Sequence, residues 1–525
     1  MTGNEILAVC MMVVVFFFLA TGFPVAFALA GSALFFGLIG YVFGDFSTIF
    51  FGLTANRIYG VMSNEILIAV PLFVFMGIML ERSKVAESLL ETMGQAFGPI
   101  RGGLGVSVCV VGGLLAASTG IVGATVMAMG LISLPVMLRR GYDPAHACGL
   151  IAACGTLGQI IPPSIVLVVL GDQISNANIQ AQRAAGKFSV DPVSVGDLFA
   201  GALIPGIILV LLYIIWQLFL AWWRPNSAPA VPRGEFGIET GWALAWRVVQ
   251  ALVAPVTLIL AVLGSILGGV ATPTEGAAVG AVGATMLGGL RAAGERRVHV
   301  LLGAACALLL IILTATVDLR LGRDLTTTGQ TIGIWLAMGC CAGFAWGLLV
   351  SLVLLHRQGM LASVMRTTSK ISAMAFSIVI GAQIFSLVFR GLGGDDMVHE
   401  FLRELPGGKW AALALVMFVM FILGFALDFL EITFIVVPLV APPLLAMGVD
   451  PIWLAIMMAV NLQTEFLTPP FGFALFYIRA VAPASVTTMQ IYRGIVPFVC
   501  LQLVALGIVA AFPALATWLP KLLYG

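Results

Sequence analysis

Residues 149–171 read GLIAACGTLGQIIPPSIVLVVLG, an apolar stretch of the length that crosses a bilayer, interrupted by Gly155, Gly158, Pro162 and Pro163. In a helix interior each glycine costs about 1 kcal/mol relative to alanine and each proline about 3 kcal/mol. The prolines also withdraw two backbone donors and clash with the preceding turn. Backbone groups freed in lipid need partners, so such a break is tolerated where it is buried in protein or lines a polar cavity. A broken span is therefore expected to hold bare backbone against a ligand. The break recurs in residues 461–477, NLQTEFLTPPFGFALFY.

The remainder of the 525 residues is compatible only with a membrane setting. Apolar residues make up 61% and charged residues 9%, against roughly 25% charged in soluble proteins. No stretch alternates at period two, which excludes a membrane barrel. The expected class is an all-α polytopic membrane protein in contact with the lipid bilayer. A net charge of +1 offers no electrostatic footprint for nucleic acid. The eight cysteines form no CxxC pair and no HExxH occurs, so neither a metal centre nor a zinc hydrolase is expected. GxxxxGK[ST] is absent too, which removes nucleotide as an energy source. The first residues lack a basic region and are expected to remain as a span rather than a cleaved signal.

The two breaks belong to a repeat. Pro135, Gly141, Asp143, Pro144, Ala152, Pro162 and Pro163 each find the same residue type 307 positions later, at Pro442, Gly448, Asp450, Pro451, Ala459, Pro469 and Pro470. Two ungapped dipeptide matches at one offset are far harder to reach by chance than single glycines or prolines. The repeat divides the chain into a first half, 1–222, a Pro-rich cytoplasmic linker, 223–241, and a second half, 242–525. Each half holds an apolar segment whose length suits neither one crossing nor two, at 101–138, free of charge from Gly102 on, and at 410–447, with Asp428 and Glu431 near its middle. Both are expected to be re-entrant helical hairpins. Each half then holds an interrupted transmembrane helix, at 143–171 and 450–478. The second half adds two crossings within 298–355 that the first half lacks. Residues 45–59 read as an interfacial stretch, 81–96 as an amphipathic surface helix and 172–197 as a polar loop.

Counting a re-entrant hairpin as zero gives the first half five crossings, which inverts the second half. With the N-terminus outside, 16 of the 25 Lys and Arg fall on the cytoplasmic side. Inverted repeats with helices interrupted at matching places are the architecture of secondary transporters.

Ser118, Thr119 and Gly120 form the expected tip of the first hairpin. With the opened backbone at Gly155 and Thr156 they offer uncharged oxygens suited to Na⁺. Pro162, Pro163 and Ser164 start a half-helix, as do Pro469 and Pro470, and half-helix N-termini attract a carboxylate. Close packing of small residues is the structural alternative for the tip. Asp428, Glu431 and Glu465 are the acids deepest in apolar sequence. Cation ligation, proton transfer and hairpin stabilisation all remain open for them at this point. Glu275 reads as a helix-start acid, with Thr272 or Thr274 as cap.

Four stretches carry a resemblance to a known family: GTLGQIIPPS (155–164), GVATPTEGAAV (269–279), LDFLEITFIVVP (427–438) and FLTPPFGFALFY (466–477). The chain resembles the large membrane subunit of the tripartite ATP-independent periplasmic (TRAP) transporters over nearly its whole length. That resemblance implies Na⁺-coupled uptake of an organic acid anion delivered by a periplasmic solute-binding protein. It also implies a small four-span membrane subunit as partner, the bacterial inner membrane as location and an elevator-type movement of hairpins and broken helices. By motif, Ser118, Thr119, Gly155 and Thr156 fall at one Na⁺ site. Asn461, Gln463, Thr464 and Thr468, with the Asp428 hairpin, fall at the other. The substrate lies between, against Thr119, Asn461 and the two proline pairs. The extra crossings in 298–355 depart from the family pattern, and so does Glu465 where a small or neutral residue is expected. A stand-alone Na⁺- or H⁺-coupled anion symporter without a binding protein is the alternative, and an enzyme is not expected.

Overall fold

A computed structural model describes residues 3–44, 46–230, 241–320, 328–425, 427–469 and 472–525, without the side chains of residues 85, 86, 118 and 119. The described residues form helices and no strands. Among the described residues, nine helices are long and apolar enough to cross a membrane, and up to eleven if each of two bent pairs counts as one span.

In chain order, α1 (Gly3–Ala20) and α2 (Val25–Phe43) turn at Pro24. Next come α3 (Ile49–Met62) and α4 (Ala69–Arg82). Within residues 45–59, expected to lie at the interface, α3 begins, and it meets the helical segment Ile66–Arg82 across a bend of 55°. Asn64 explains the bend locally, because its side-chain oxygen accepts the Ile66 N–H at 3.0 Å and so ends one helix while starting the next. The amphipathic α5 (Val85–Phe97) buries Leu89, Leu90 and Met93 and leaves Glu91 exposed.

The first hairpin consists of α6 (Gly103–Thr119) and α7 (Val122–Arg139), joined by a two-residue turn in which Gly120 takes φ 60°. The first broken helix follows as α8 (Pro144–Thr156) and α9 (Ile165–Ala184). The sequence reading ended it at 171 and made 172–197 a polar loop. In the structure α9 continues to Ala184, and its polar residues Asp172, Gln173 and Asn178 are buried. Their polarity reflects a polar interior rather than a loop. Helix α10 (Val195–Trp223) closes the first half; of the linker, residues 231–240 lie outside the described residues.

The second half opens with α11 (Gly241–Leu267) and α12 (Pro273–Ala292), the latter started by a Thr272–Glu275 capping box. The extra pair, α13 (Arg297–Thr316) and α14 (Thr328–Arg357), packs on α12 and on α15 (Met360–Gly391). It exposes Leu301, Leu302, Leu308, Ile311 and Ile312, a face fit for lipid. After α16 (Gly394–Glu404), the second hairpin begins with α17 (Gly408–Leu423). Its return arm is not one helix but two, α18 (Phe429–Ile435) and α19 (Val437–Ala446), bent by 53°. Pro438 cannot supply the backbone donor that a continuous helix needs there. The second broken helix is α20 (Pro451–Glu465) and α21 (Phe473–Val481), followed by α22 (Thr488–Ala511) and α23 (Ala514–Tyr524). The last expected span, 495–519, therefore stops at Ala511, ahead of Pro513.

Helix packing comes in matched pairs. Helix α7 packs on α21 as α19 packs on α9, α8 on α22 as α20 on α10, and α2 on α15 as α12 on α4. Exchanging partners between equivalent elements is what a two-fold relation between the halves produces. Local chemistry repeats as well. Asp143 and Asp450 cap their helices by accepting from His146 N at 3.1 Å and Trp453 N at 2.9 Å, with proline next in each.

Candidate transport site

The core of the molecule is the pair of breaks. Helix α8 ends at Thr156, which is completely buried. The Thr156 hydroxyl donates to Ala153 O at 2.9 Å and accepts from two amides, Gln463 Nε2 at 3.2 Å and Gln502 Nε2 at 3.3 Å. Gln502, on α22, also donates to Tyr213 Oη at 2.9 Å. Gln463 sits near the end of α20, so this network ties the two breaks together through side chains. It leaves the Oε1 atoms of Gln463 and Gln502 without a hydrogen-bond partner among the described residues. A buried acceptor left unpaired costs about 1–3 kcal/mol, so these oxygens mark a place prepared for a donor or a cation.

Past Thr156 the chain makes a tight turn, then bends through residues 161–163 to Ser164, whose backbone is extended. Ser164 is fully buried, donates its hydroxyl to Gln159 O at 2.7 Å and caps α9 by accepting from Leu167 N at 3.5 Å. Pro162 and Pro163 stand in the bend, ahead of the first N–H groups of α9, which have no intrahelical partners. Gln159, also buried, has neither amide atom paired among the described residues. In the other half, Thr464 and Thr468 donate to the carbonyls four residues back, at 3.0 and 2.8 Å, which leaves their lone pairs outward. Asn461 donates to Met417 O at 2.8 Å and fastens α20 to α17. Pro469 follows α20 in the break, whereas Pro470 lies outside the described residues.

Each hairpin tip packs on its break. A Cβ built on Gly158 meets Ala116 O at 3.3 Å and Gly120 Cα at 3.6 Å, so the first tip rests on a glycine. In the second half, a Cβ built on Gly424 lies 1.9 Å from Glu465 Oε2. Glu465 is the repeat equivalent of Gly158. The bulk that the first half carries on its tip stands on the break in the second, and Gly424 compensates for it. Glu465 is completely buried and neither of its oxygens has a hydrogen-bond partner among the described residues.

One sequence expectation changes here. Gly155 was read as opened backbone, but it belongs to the last turn of α8 and is small because a Cβ would lie 2.2 Å from Val126 Cγ2. Asp428 and Glu431 stand three apart, a spacing that would put them on one face of a continuous helix. Instead Asp428 precedes α18 as its N-cap, and Glu431 Oε2 accepts the Asp428 N–H at 3.0 Å, forming a capping box. The side chains of Ser118 and Thr119 lie outside what the structure describes, so only their position at the end of α6 is reported. Sequence reasoning passed over Gln159, Gln502 and Tyr213. Gln159 stands inside the quoted GTLGQIIPPS stretch, and Gln502 is the one amide in the apolar run that follows Arg493 in α22.

Comparison with known proteins decides the family. The family model described as "Tripartite ATP-independent periplasmic transporter, DctM component" matches residues 12–355 and 325–515. The chain belongs to the DctM family. A C4-dicarboxylate TRAP transporter large permease protein of Vibrio cholerae is 28% identical over 459 residues, covering 87% of this chain and 86% of that one. The sialic acid TRAP transporter large permease protein of the same organism is 24% identical and covers 97% of each. Among solved structures, an antimetabolite efflux pump of Neisseria gonorrhoeae aligns with a TM-score of 0.50 at 13% identity, covering 88% of this chain and 83% of that one. That likeness concerns the fold alone. The chain is thus a multi-pass membrane protein of a transporter family whose relatives are named permeases.

Proposed function

We propose that this DctM-family chain is the large membrane subunit of a Na⁺-coupled importer of a small organic acid anion. In this reading a periplasmic solute-binding protein delivers the carboxylate, a small four-span subunit stands alongside, and the complex resides in the bacterial inner membrane with the N-terminus in the periplasm. The halves are inverted, and hairpins and broken helices move together as an elevator.

The observation that carries the reading is the joining of the two breaks at Thr156 and Gln463, with unpaired amide oxygens around them. Hydroxyl and amide oxygens without a fixed cation suit Na⁺, while the freed N–H groups ahead of α9 suit a carboxylate. Ser118, Thr119, Gly120 and Thr156 then serve one ion, and Asn461, Gln463, Thr464 and Thr468 with the Asp428 hairpin serve another. The anion lies between, near Ser164 and the prolines. A second reading, coupling to H⁺, draws on Glu465, whose unpaired carboxyl suits a proton carrier.

Uptake into proteoliposomes holding both membrane subunits and the binding protein tests this. Accumulation under an inward Na⁺ gradient is expected, and accumulation that follows only a pH gradient selects the H⁺ reading. Equal uptake by the large subunit alone, without binding protein, favours a stand-alone symporter.

A further inference from the structure

A cavity of about 490 Å³ opens between α3, α9, α15 and the bent return arm of the second hairpin, apart from the breaks. Its lining is unusual for this chain. Asn64, Gln173, Asn176, Gln180 and Gln383 face it, and so do the guanidinium groups of Arg57 and Arg390. Three of the four charges at this place are engaged. Asp172 accepts from Asn64 Nδ2 at 3.0 Å and from Gln173 Nε2 at 2.8 Å, one amide on each oxygen. Arg390 donates from Nε to Asp395 Oδ2 at 2.6 Å. Arg57 alone has no hydrogen-bonded or ion-paired partner among the described residues. The cavity thus combines a guanidinium that has no directly bonded partner, within electrostatic reach of Asp395 and Arg390, with a wall of amides and the amide-paired Asp172 carboxylate.

Leu67, Val379 and Phe434 line both this cavity and a narrow apolar gap of about 10 Å³ that reaches Leu430, two residues past Asp428. The polar chamber is thereby separated from the Asp428 end of the second hairpin by a hydrophobic neck between α4, α9 and α15.

We propose that this chamber is a second anion site, in which Arg57 holds the carboxylate of a small organic acid before the acid reaches the breaks. A guanidinium presents two parallel donors matched to a carboxylate, and amides solvate the rest of the acid without competing for its charge. The neck keeps water and ions from crossing while the acid waits. The role in uptake rests on the proposed transport function; the anion site itself does not.

The experiment places a reporter in the chamber. Ser386 lines it, and the Ser386→Cys chain in nanodiscs is labelled with an anionic sulfonatoethyl thiosulfonate or its cationic trimethylammonium counterpart, each rate corrected for the parent chain. The anionic reagent reacts faster than the cationic one by roughly 25-fold, because one unit charge at close range in water is worth about fivefold and acts on the two reagents in opposite directions. Arg57→Gln removes the preference and Arg57→Lys keeps it. Succinate at millimolar concentration slows labelling in the Arg57 chain and not in the Arg57→Gln chain. A cationic reagent that reacts as fast as the anionic one, or a preference unchanged by Arg57→Gln, overturns the proposal. Because no transport is measured, a chain that keeps the preference but fails Na⁺-driven uptake contradicts the transport reading alone.

Discussion

Gln463 Nε2 hydrogen-bonds Thr156 Oγ1 at 3.2 Å, and the two residues occupy the same position of the two repeats, 307 residues apart. Residues related by a two-fold operation touch each other only where they lie beside its axis. The contact therefore marks where the halves meet, and it lies at the ends of both broken helices. Under the proposed function, ion ligands contributed from there would sense the movement of both halves at once.

Removing the shared acceptor tests that junction. Thr156→Val is expected to leave the Gln463 amide unpaired in a buried place, to leave Gln502 with Tyr213 as its acceptor, and to lower stability by about 1–3 kcal/mol. Thr156→Ala is expected to abolish Na⁺-dependent uptake in reconstituted liposomes. Denaturation midpoints and uptake with and without Na⁺ are the measurements, and unchanged Na⁺ dependence would sink the site assignment.

Gly424 and Glu465 make a second, reciprocal test. Gly424→Ala forces a methyl into the Glu465 carboxyl and is expected to cost about 1–3 kcal/mol by overpacking. Glu465→Gly copies the first half's own solution and is expected to restore Gly424→Ala toward the parent melting temperature. A double variant no more stable than Gly424→Ala contradicts the tip-on-break packing.

The Asp428–Glu431 box separates a capping role from a coupling role. Glu431→Gln keeps an acceptor at the third position and should leave the melting temperature within about 0.5 kcal/mol of the parent, whereas Asp428→Ala should lose about 1 kcal/mol. If Glu431→Gln also leaves the ion dependence of uptake unchanged, Glu431 is a cap and nothing more.

The matched caps test the repeat. Asp143→Ala and Asp450→Ala each remove one acceptor from a helix N-terminus, and each is expected to destabilise by about 1 kcal/mol. Sharply unequal losses in urea titrations contradict equivalent environments.

Much of this was legible in the sequence because backbone chemistry leaves strong marks. Asp-Pro before each broken helix, the paired prolines and the glycine-rich hairpin locate the starts of α6, α8, α17 and α20 within a few residues. Polar residues were less informative, since polarity marks the surface in one place and a polar interior in another. Asp172 and Gln173 look like loop residues and are buried in α9. Asp428 and Glu431 look like a face and form a cap, because the chain starts a helix between them, a boundary no periodicity records. Gln502 and Tyr213 meet Thr156 only through tertiary packing across α10 and α22.

The central claim is that the joined breaks bind Na⁺ as part of transport. Thermal stability of the purified chain, titrated with Na⁺ and in parallel with Li⁺ and K⁺ at equal ionic strength, tests it most directly. A ligand at a hundred times its dissociation constant adds about 2.7 kcal/mol to the folded state. The account predicts a melting temperature that rises with Na⁺, not with K⁺, and a rise that vanishes in Thr156→Ala. Equal stabilisation by Na⁺ and K⁺, or a Na⁺ effect untouched by Thr156→Ala, would contradict it.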